Sequence, residues 1–186
     1  ATVQIERTDG PATPRPLEPA RLDRMLQGAA RFVMGCSGLF KSWSDGFQAH
    51  VNELPRFPHE KAFAAGGDPN IAYYHSAFRI QPDEALVIEA TPPECDYWNF
   101  QLANYWLESL DYRYHDIHVN KGTAVARPDG SVRVVVAHED PGCDNWLDPC
   151  GHVEGTMCWR WIRAKEHPEP ACMLVKLSEL REELSR

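Results

Sequence analysis

The chain has 186 residues, of which 43% are hydrophobic and 25% charged, the composition of an ordinary globular domain. Its 27 acidic and 19 basic residues leave a net charge of −8, which argues against binding to nucleic acid or to an anionic membrane surface. No apolar run reaches the roughly 18 residues that a membrane-spanning helix needs.

Residues 1–60 are predicted to form an extended arm followed by two helices. Three prolines within residues 1–16 favour the extended arm. Apolar residues then recur at helical spacing over residues 17–33, and Gly35 follows as an expected helix end. A second apolar stripe predicts a helix over residues 39–52, so the two helices would form a hairpin.

Residues 61–186 are predicted to form the second part of the chain, a β domain. The hydrophobic period changes to two, and turn signals separate short runs rich in aromatic and β-branched residues. The predicted strands cover residues 71–80, 85–90, 96–106, 131–138, 156–162 and 172–177, and a frayed helical turn follows. The fold class is therefore predicted as mainly β: an antiparallel β-sandwich or jelly roll preceded by a helical hairpin.

Standard cofactor and nucleophile motifs do not occur in the sequence. It has no phosphate-binding loop, no dinucleotide fingerprint and no serine-hydrolase elbow, so no cofactor is predicted. Its six cysteines contain no Cys-x-x-Cys pair, which excludes a zinc ribbon. We expect reduced thiols and a cytoplasmic location, with a Cys143–Cys150 disulfide as the alternative. The first ten residues are polar, unlike a signal peptide, although a mature product would have lost one.

Histidines and carboxylates in the β half are the candidate catalytic groups. His115 and His118 would join a metal site if the backbone turned there, and otherwise mark a polar strand end. His138 follows the valine strand and is either an acid–base group at a cavity mouth or a hydrogen-bonded strand end. Asp148 and His152 are predicted to form an acid–base pair or to share a cation, unless Asp148 and Asn145 only cap turns.

Polar side chains on otherwise aromatic segments are the candidate ligand-binding residues. Arg160 alternates with two tryptophans. If it faces inward it needs an anionic partner, and if the tryptophans are buried instead it is merely solvated. Asn99 and Gln101 share a strand face with tyrosines and suit either a cavity lining or a polar outer face. The predicted ligand-binding set is Asn99, Gln101, Tyr105, Asn145, Trp146 and Arg160, with Tyr97 beside it in the cavity.

Four segments are similar to a bacterial domain-of-unknown-function family, number 1214. They are WNFQLANYWLESLDYRY (98–114), DGSVRVVVAHEDPG (129–142), DNWLDPCGHVEGTMCWRW (144–161) and VKLSEL (175–180). The resemblance covers roughly residues 70–180 and implies a β-sandwich or jelly-roll fold. It implies no reaction, and no catalytic residue is taken from it. Members of this family commonly follow a domain of family 1254, in whose place we predict the two helices.

These observations support two classes of function. The first is a small-molecule-binding or accessory domain with an aromatic-lined cavity, acting as a homo-oligomer or with a partner domain. The second is an enzyme in which His138, Asp148 and His152 carry out a lyase, isomerase or hydrolase step. A metal-assisted form of the enzyme ranks last, because the His-x-His pair of metal-binding jelly rolls does not occur.

Overall fold

The structure is a computed structural model that describes residues 2–6, 8–10, 13–14 and 16–186. The chain divides into two compact units, residues 1–38 and residues 39–186. In the first unit, the described residues contain the greater part of helix α1, which runs over Pro19–Phe47. The side chains of that part of the helix are exposed or partly exposed. The extended arm predicted over residues 1–16 lies partly outside the described residues.

The predicted helical hairpin is wrong. The two predicted helices are one continuous helix that passes through Gly35 and Gly38. Neither glycine has the positive φ of a helix-terminating glycine. A glycine within a helix costs only about 1 kcal/mol relative to alanine, and no proline follows before residue 55. No helix among the described residues is long and apolar enough to cross a membrane.

The second unit contains the β-strands and two short helices. Helix α2 is His59–Ala64 and helix α3 is Leu177–Leu184. The strands are β1 Ile71–Arg79, β2 Glu84–Ala90, β3 Tyr97–Ala103, β4 His118–Asn120, β5 Val132–Ala137, β6 Trp146–Leu147, β7 Glu154–Ile162 and β8 Ala171–Lys176.

The strands form two four-stranded sheets, so the fold is mainly β with an N-terminal helix. Sheet I has the order β1-β7-β3-β4, and all of its pairs are antiparallel. Sheet II has the order β6-β5-β2-β8. Strand β6 pairs in parallel with β5, so sheet II is mixed and not antiparallel throughout as predicted.

One face of each sheet contributes to a common hydrophobic core. In sheet I, Trp98, Trp159 and Trp161 are nearly inaccessible and pack against one another, with ring centroids 5.0–6.0 Å apart. In sheet II, Leu86 and Val134 belong to the same buried cluster. Because side chains alternate along a strand, the residues between them face away from this core.

The chain departs from the predicted strands at three places. Strand β3 ends at Ala103, three residues early, because the chain turns there and Leu107 adopts a φ of 60°. Trp106, which the strand pattern places on the same face as Trp98, is consequently 48% exposed. Two short strands, β4 and β6, form outside the predicted strand ranges, and the tail is an eight-residue helix and not a frayed turn.

Candidate functional site

The outward face of sheet I carries a row of polar and aromatic side chains. Strand pairing places Arg160 between Tyr73 and Asn99, and it places Cys158 between His75 and Gln101. The neighbouring tryptophans of β7 fill the core, so Cys158 and Arg160 are directed to the other side of the sheet.

The end of α1 and the segment that follows it build walls over this face. Phe47 is buried against the sheet, and Phe57 donates its backbone N–H to the Tyr73 carbonyl at 2.7 Å. Gly67 closes the turn after α2, where an added Cβ would meet the Ala62 carbonyl oxygen at 2.8 Å. A side chain at position 67 would push this wall away from the sheet.

His75 is at the centre of an aromatic stack. Its ring lies parallel to Phe47 at 5.0 Å and to Tyr73 at 5.7 Å, and Phe57 meets it edge-on at 5.7 Å. Burial lowers the pKa of His75 to about 4, with the nearby Arg160 charge contributing in the same direction. The imidazole is therefore neutral near pH 7.

Three adjoining cavities meet at His75, and we call them together the cleft. Their volumes are about 460, 300 and 80 Å³. Trp43, Phe47 and Phe57 form walls that the two larger cavities share. Gln101 lines the smallest cavity, and Arg160 lines both this cavity and the one of about 300 Å³. The combined space is that of a small-molecule site with mostly apolar walls.

The charges of the cleft are opposite in sign to the net charge of the chain. The basic and imidazole side chains that line it are His50, Arg56, Lys61, His75 and Arg160. Among the described residues, no Asp or Glu lines any of the three cavities. The cleft is thus a basic recess in a chain with a net charge of −8.

Arg160 has no carboxylate partner among the described residues. Its guanidinium carbon lies 5.8 Å from the centre of the Tyr73 ring, a cation–π contact on one side. The side chain is only partly accessible to water. A guanidinium held in this way retains donors for a planar anion such as a carboxylate.

Cys158 lies beside these groups but lacks the character of a nucleophile. Its sulfur is 3.7 Å from His75 Nε2. Burial raises the pKa of the Cys158 thiol to about 12, so the thiolate is scarce near pH 7. The described geometry of the cleft therefore favours binding over thiol chemistry.

The predicted ligand-binding residues lie in two different places. Arg160 and Gln101 line the cleft, and Asn99 lies on the same face with its Nδ2 3.3 Å from Gln101 Oε1. Tyr105 lies in the turn after β3, donates to Asp45 of α1 at 2.5 Å and does not line the cleft. Tyr97 is 40% exposed and does not line the cleft either.

Asn145 and Trp146 lie in a separate loop and support its backbone. The Asn145 amide accepts from the Val125 N–H at 2.8 Å and donates to the Val125 and Arg133 carbonyls, each at 2.9 Å. Trp146 donates its indole N–H to the Ala137 carbonyl at 2.9 Å. Both side chains also border a shallow depression of about 350 Å³.

The three predicted catalytic residues take other partners. Asp148 contacts His115, with 2.7 Å between Oδ2 and Nδ1, and it accepts the Cys150 N–H at 2.7 Å. His152 is exposed and makes no described side-chain hydrogen bond to Asp148. His138 follows the last residue of β5, and its Nε2 lies 3.0 Å from the Ile80 carbonyl oxygen. The expected pairing of Asp148 with His152 is thus replaced by a pairing with His115.

Sequence reasoning did not find the walls of the cleft. Trp43 and Phe47 belong to a helical stripe that predicts burial but not the surface it covers. His75 lies two residues after Tyr73 on the strand, a spacing that indicates a shared face. No pattern connects that face with Phe57 or Lys61, because the contact joins separate segments of the chain.

Comparison with known proteins gives structural relatives without an assigned activity. No family model matches the chain, and no curated protein matches it. The crystal structure of an uncharacterised protein from Burkholderia cenocepacia matches 94% of this chain with 49% sequence identity and a TM-score of 0.88. This chain spans only 49% of that protein, about half its length.

A second crystal structure shows a likeness of fold alone. The VPA0106 protein from Vibrio parahaemolyticus is 17% identical, with a TM-score of 0.50 over 63% of this chain and 34% of that one. Both of these structures come from bacteria.

Proposed function

We propose that this protein is a small-molecule-binding β-sandwich domain whose cleft takes an aromatic or apolar anion. The observation that carries the proposal is Arg160, a partly buried guanidinium that lacks a described carboxylate partner and lies against aromatic walls. We further propose a jelly-roll arrangement of the two sheets and membership in family 1214, on the sequence resemblance above.

Arg160 supplies the polar recognition in this proposal. A guanidinium donates two parallel hydrogen bonds to a carboxylate or sulfate, and such charge-assisted bonds are stronger than neutral ones. Removing a cation from water without an anion is unfavourable, so a bound anion would stabilise Arg160 as well as the ligand.

The aromatic walls supply the apolar recognition. Rings of Trp43, Phe57 and Tyr73 line the space in front of Arg160, and flat rings favour offset-stacked or edge-on partners. His75 is neutral near pH 7 and adds a polar edge without a second full charge. A ligand with one ring and one anionic group would use both features.

The enzyme hypothesis stays a prediction. It requires His138, Asp148 and His152 to act on one substrate, whereas the described hydrogen bonds join His138 to Ile80 and Asp148 to His115. A homo-oligomer or partner domain and a cytoplasmic location likewise stay predictions.

The test compares anionic and neutral ligands of the same shape. Benzoate and benzenesulfonate would be titrated by calorimetry against the full chain, with benzamide as the neutral analogue. Arg160→Met preserves much of the side-chain length but removes the guanidinium. Arg163→Met is the matched control, because Arg163 pairs with Asp96 at 3.3 Å and does not line the cleft.

We expect the anions to bind the unmodified protein and the Arg163→Met variant, and benzamide to bind more weakly. Arg160→Met should lose roughly 10- to 100-fold in affinity for the anions, as expected for a charge-assisted hydrogen bond. The proposal is wrong if the aromatic anions do not bind, or if Arg160→Met binds them as tightly as Arg163→Met does.

A further inference from the structure

His115, Asp148 and Cys150 form a second group of functional side chains outside the cleft. One potential ligand atom from each lies within 4.8 Å of the other two, and His115 Nδ1 is 2.7 Å from Asp148 Oδ2. This is the one His/Cys/Asp/Glu triplet of such proximity among the described residues. We propose that these three side chains bind a zinc ion.

Backbone contacts hold the two contributing loops together without a metal. The Asp148 N–H donates to the Asp116 carbonyl at 2.7 Å, which fixes the loop after β6 against the loop before β4. Within the loop before β4, the His115 N–H donates to the Asp111 carbonyl at 3.1 Å. A site built on loops that are already joined loses little further freedom when an ion binds.

Cys150 reaches the group through an unusual backbone conformation. Its φ of 53° lies in the left-handed region, and its N–H is held by Asp148 Oδ1 at 2.7 Å. Asp148 therefore uses one oxygen to shape the turn and the other to contact His115. The turn brings the sulfur to the same side as the carboxylate and the imidazole.

The donor set indicates the kind of metal. One nitrogen, one sulfur and one carboxylate oxygen match the ligands that zinc takes in proteins. Calcium and magnesium require oxygen ligands and do not suit a thiol. Around a tetrahedral zinc, ligand atoms lie about 3–4 Å apart, so three atoms that already lie within 4.8 Å of one another need only small movements to bind one ion.

Accessibility also suits an ion. The side chains of His115 and Asp148 are 39% and 19% exposed, so the group is open to solvent on one side. Three protein ligands would leave one position for water or another ligand.

The experiment uses the full chain after removal of metal with a chelator and dialysis. Cobalt(II) is added first, because a cobalt–thiolate bond gives a charge-transfer absorption that reports on the sulfur. Zinc is then titrated in competition, and its effect on the melting temperature is measured. The test variants are His115→Gln, Asp148→Asn and Cys150→Ser. The controls are Cys143→Ser and His152→Gln, which change nearby residues outside the group.

We expect one equivalent of cobalt with a thiolate band, displacement by zinc, and a higher melting temperature with zinc. Each test variant should lose at least about tenfold in affinity, since even supporting residues of metal sites contribute that much. Cys150→Ser should also lose the band, and both controls should retain it. Asp148→Asn preserves an oxygen for the turn, so its loss of affinity would reflect the missing charge.

Three results would overturn the zinc site. The first is the absence of a thiolate band after cobalt(II) is added to the metal-free protein. The second is a band that disappears in Cys143→Ser but not in Cys150→Ser. The third is a zinc-induced rise in melting temperature that is equal in all variants, which would indicate binding elsewhere on the surface. Because the cleft is not involved, none of these results bears on anion binding by Arg160.

Discussion

The outward faces of the two sheets each carry an arginine, and the two arginines have opposite surroundings. Arg133 on β5 contacts Glu89 and Glu183, each at 2.8 Å. Arg160 on β7 contacts the Tyr73 ring and has no carboxylate among the described residues. An arginine that is already paired with carboxylates has a structural role. A partly buried arginine without a carboxylate partner can instead bind an anionic ligand.

The coverings of the two faces differ in the same way. Helix α3 closes sheet II, where Leu177 and Leu180 are buried against residues of β2 and β5. The end of α1 and residues 55–67 stand beside the sheet I face and enclose the cleft. A covering segment therefore either packs closely on the sheet beneath it or leaves a recess, and only the recess can bind a ligand.

The largest expected effect concerns the closed face. Leu180→Ala should lower the free energy of unfolding by about 2–4 kcal/mol, because it leaves a cavity under α3. Leu184→Ala is the control in the same helix, since Leu184 is 38% exposed and Leu180 only 2%. Urea denaturation measures both variants. Equal losses would show that α3 does not seal sheet II.

The second effect concerns the pH dependence of the open face. His75 has a pKa near 4 in the folded protein and an ordinary value of 6.5, so the unfolded chain takes up the proton first. Stability should therefore fall as the pH drops from about 6.5 to about 4, by at most about 3 kcal/mol from this group. Below pH 4 this contribution no longer changes.

The variant His75→Phe tests this assignment, because phenylalanine preserves a ring between Phe47 and Tyr73 but cannot titrate. Urea denaturation at intervals between pH 7 and pH 4 should give a shallower decline for the variant than for the unmodified protein. Parallel declines would mean that His75 does not produce this pH dependence.

The smallest effect compares the two arginines directly. Arg133→Met should cost about 1 kcal/mol, because it removes hydrogen bonds to two carboxylates that are themselves partly solvated. Arg160→Met should cost no more than about 0.5–1 kcal/mol, since it removes only the cation–π contact with Tyr73 and Arg160 has no described carboxylate to lose. Denaturation at low and high salt should show a salt-dependent difference only for Arg133. A larger cost at Arg160 would reveal a structural role.

Hydrophobic alternation predicted most strands of sheet I and which of their residues share a face. It left open which face of β7 is buried, and the structure places Trp159 and Trp161 in the core, so that Arg160 faces outward. The pattern did not predict where β3 ends, because the turn at Leu107 depends on a positive φ that leucine seldom adopts. It also did not predict that α1 continues past Gly35, since glycine is tolerated in a helix that has no proline to stop it.

The candidate site was only partly visible in the sequence. Arg160 and Gln101 follow from strand parity, and Asp148 follows from the density of polar residues in its loop. The histidine that contacts Asp148 is His115, which lies 33 positions away in the chain. Such a pairing depends on the packing of two loops, and no local spacing encodes it.

The sequence by itself determined the β character of the chain, the residues that share a face on a strand and the position of the charges along it, because these depend on local periodicity. The tertiary structure alone decided which segments cover the outward faces, which carboxylates reach Arg133 and which histidine meets Asp148. These contacts join residues far apart in the chain, and their formation depends on how the sheets, helices and loops pack together.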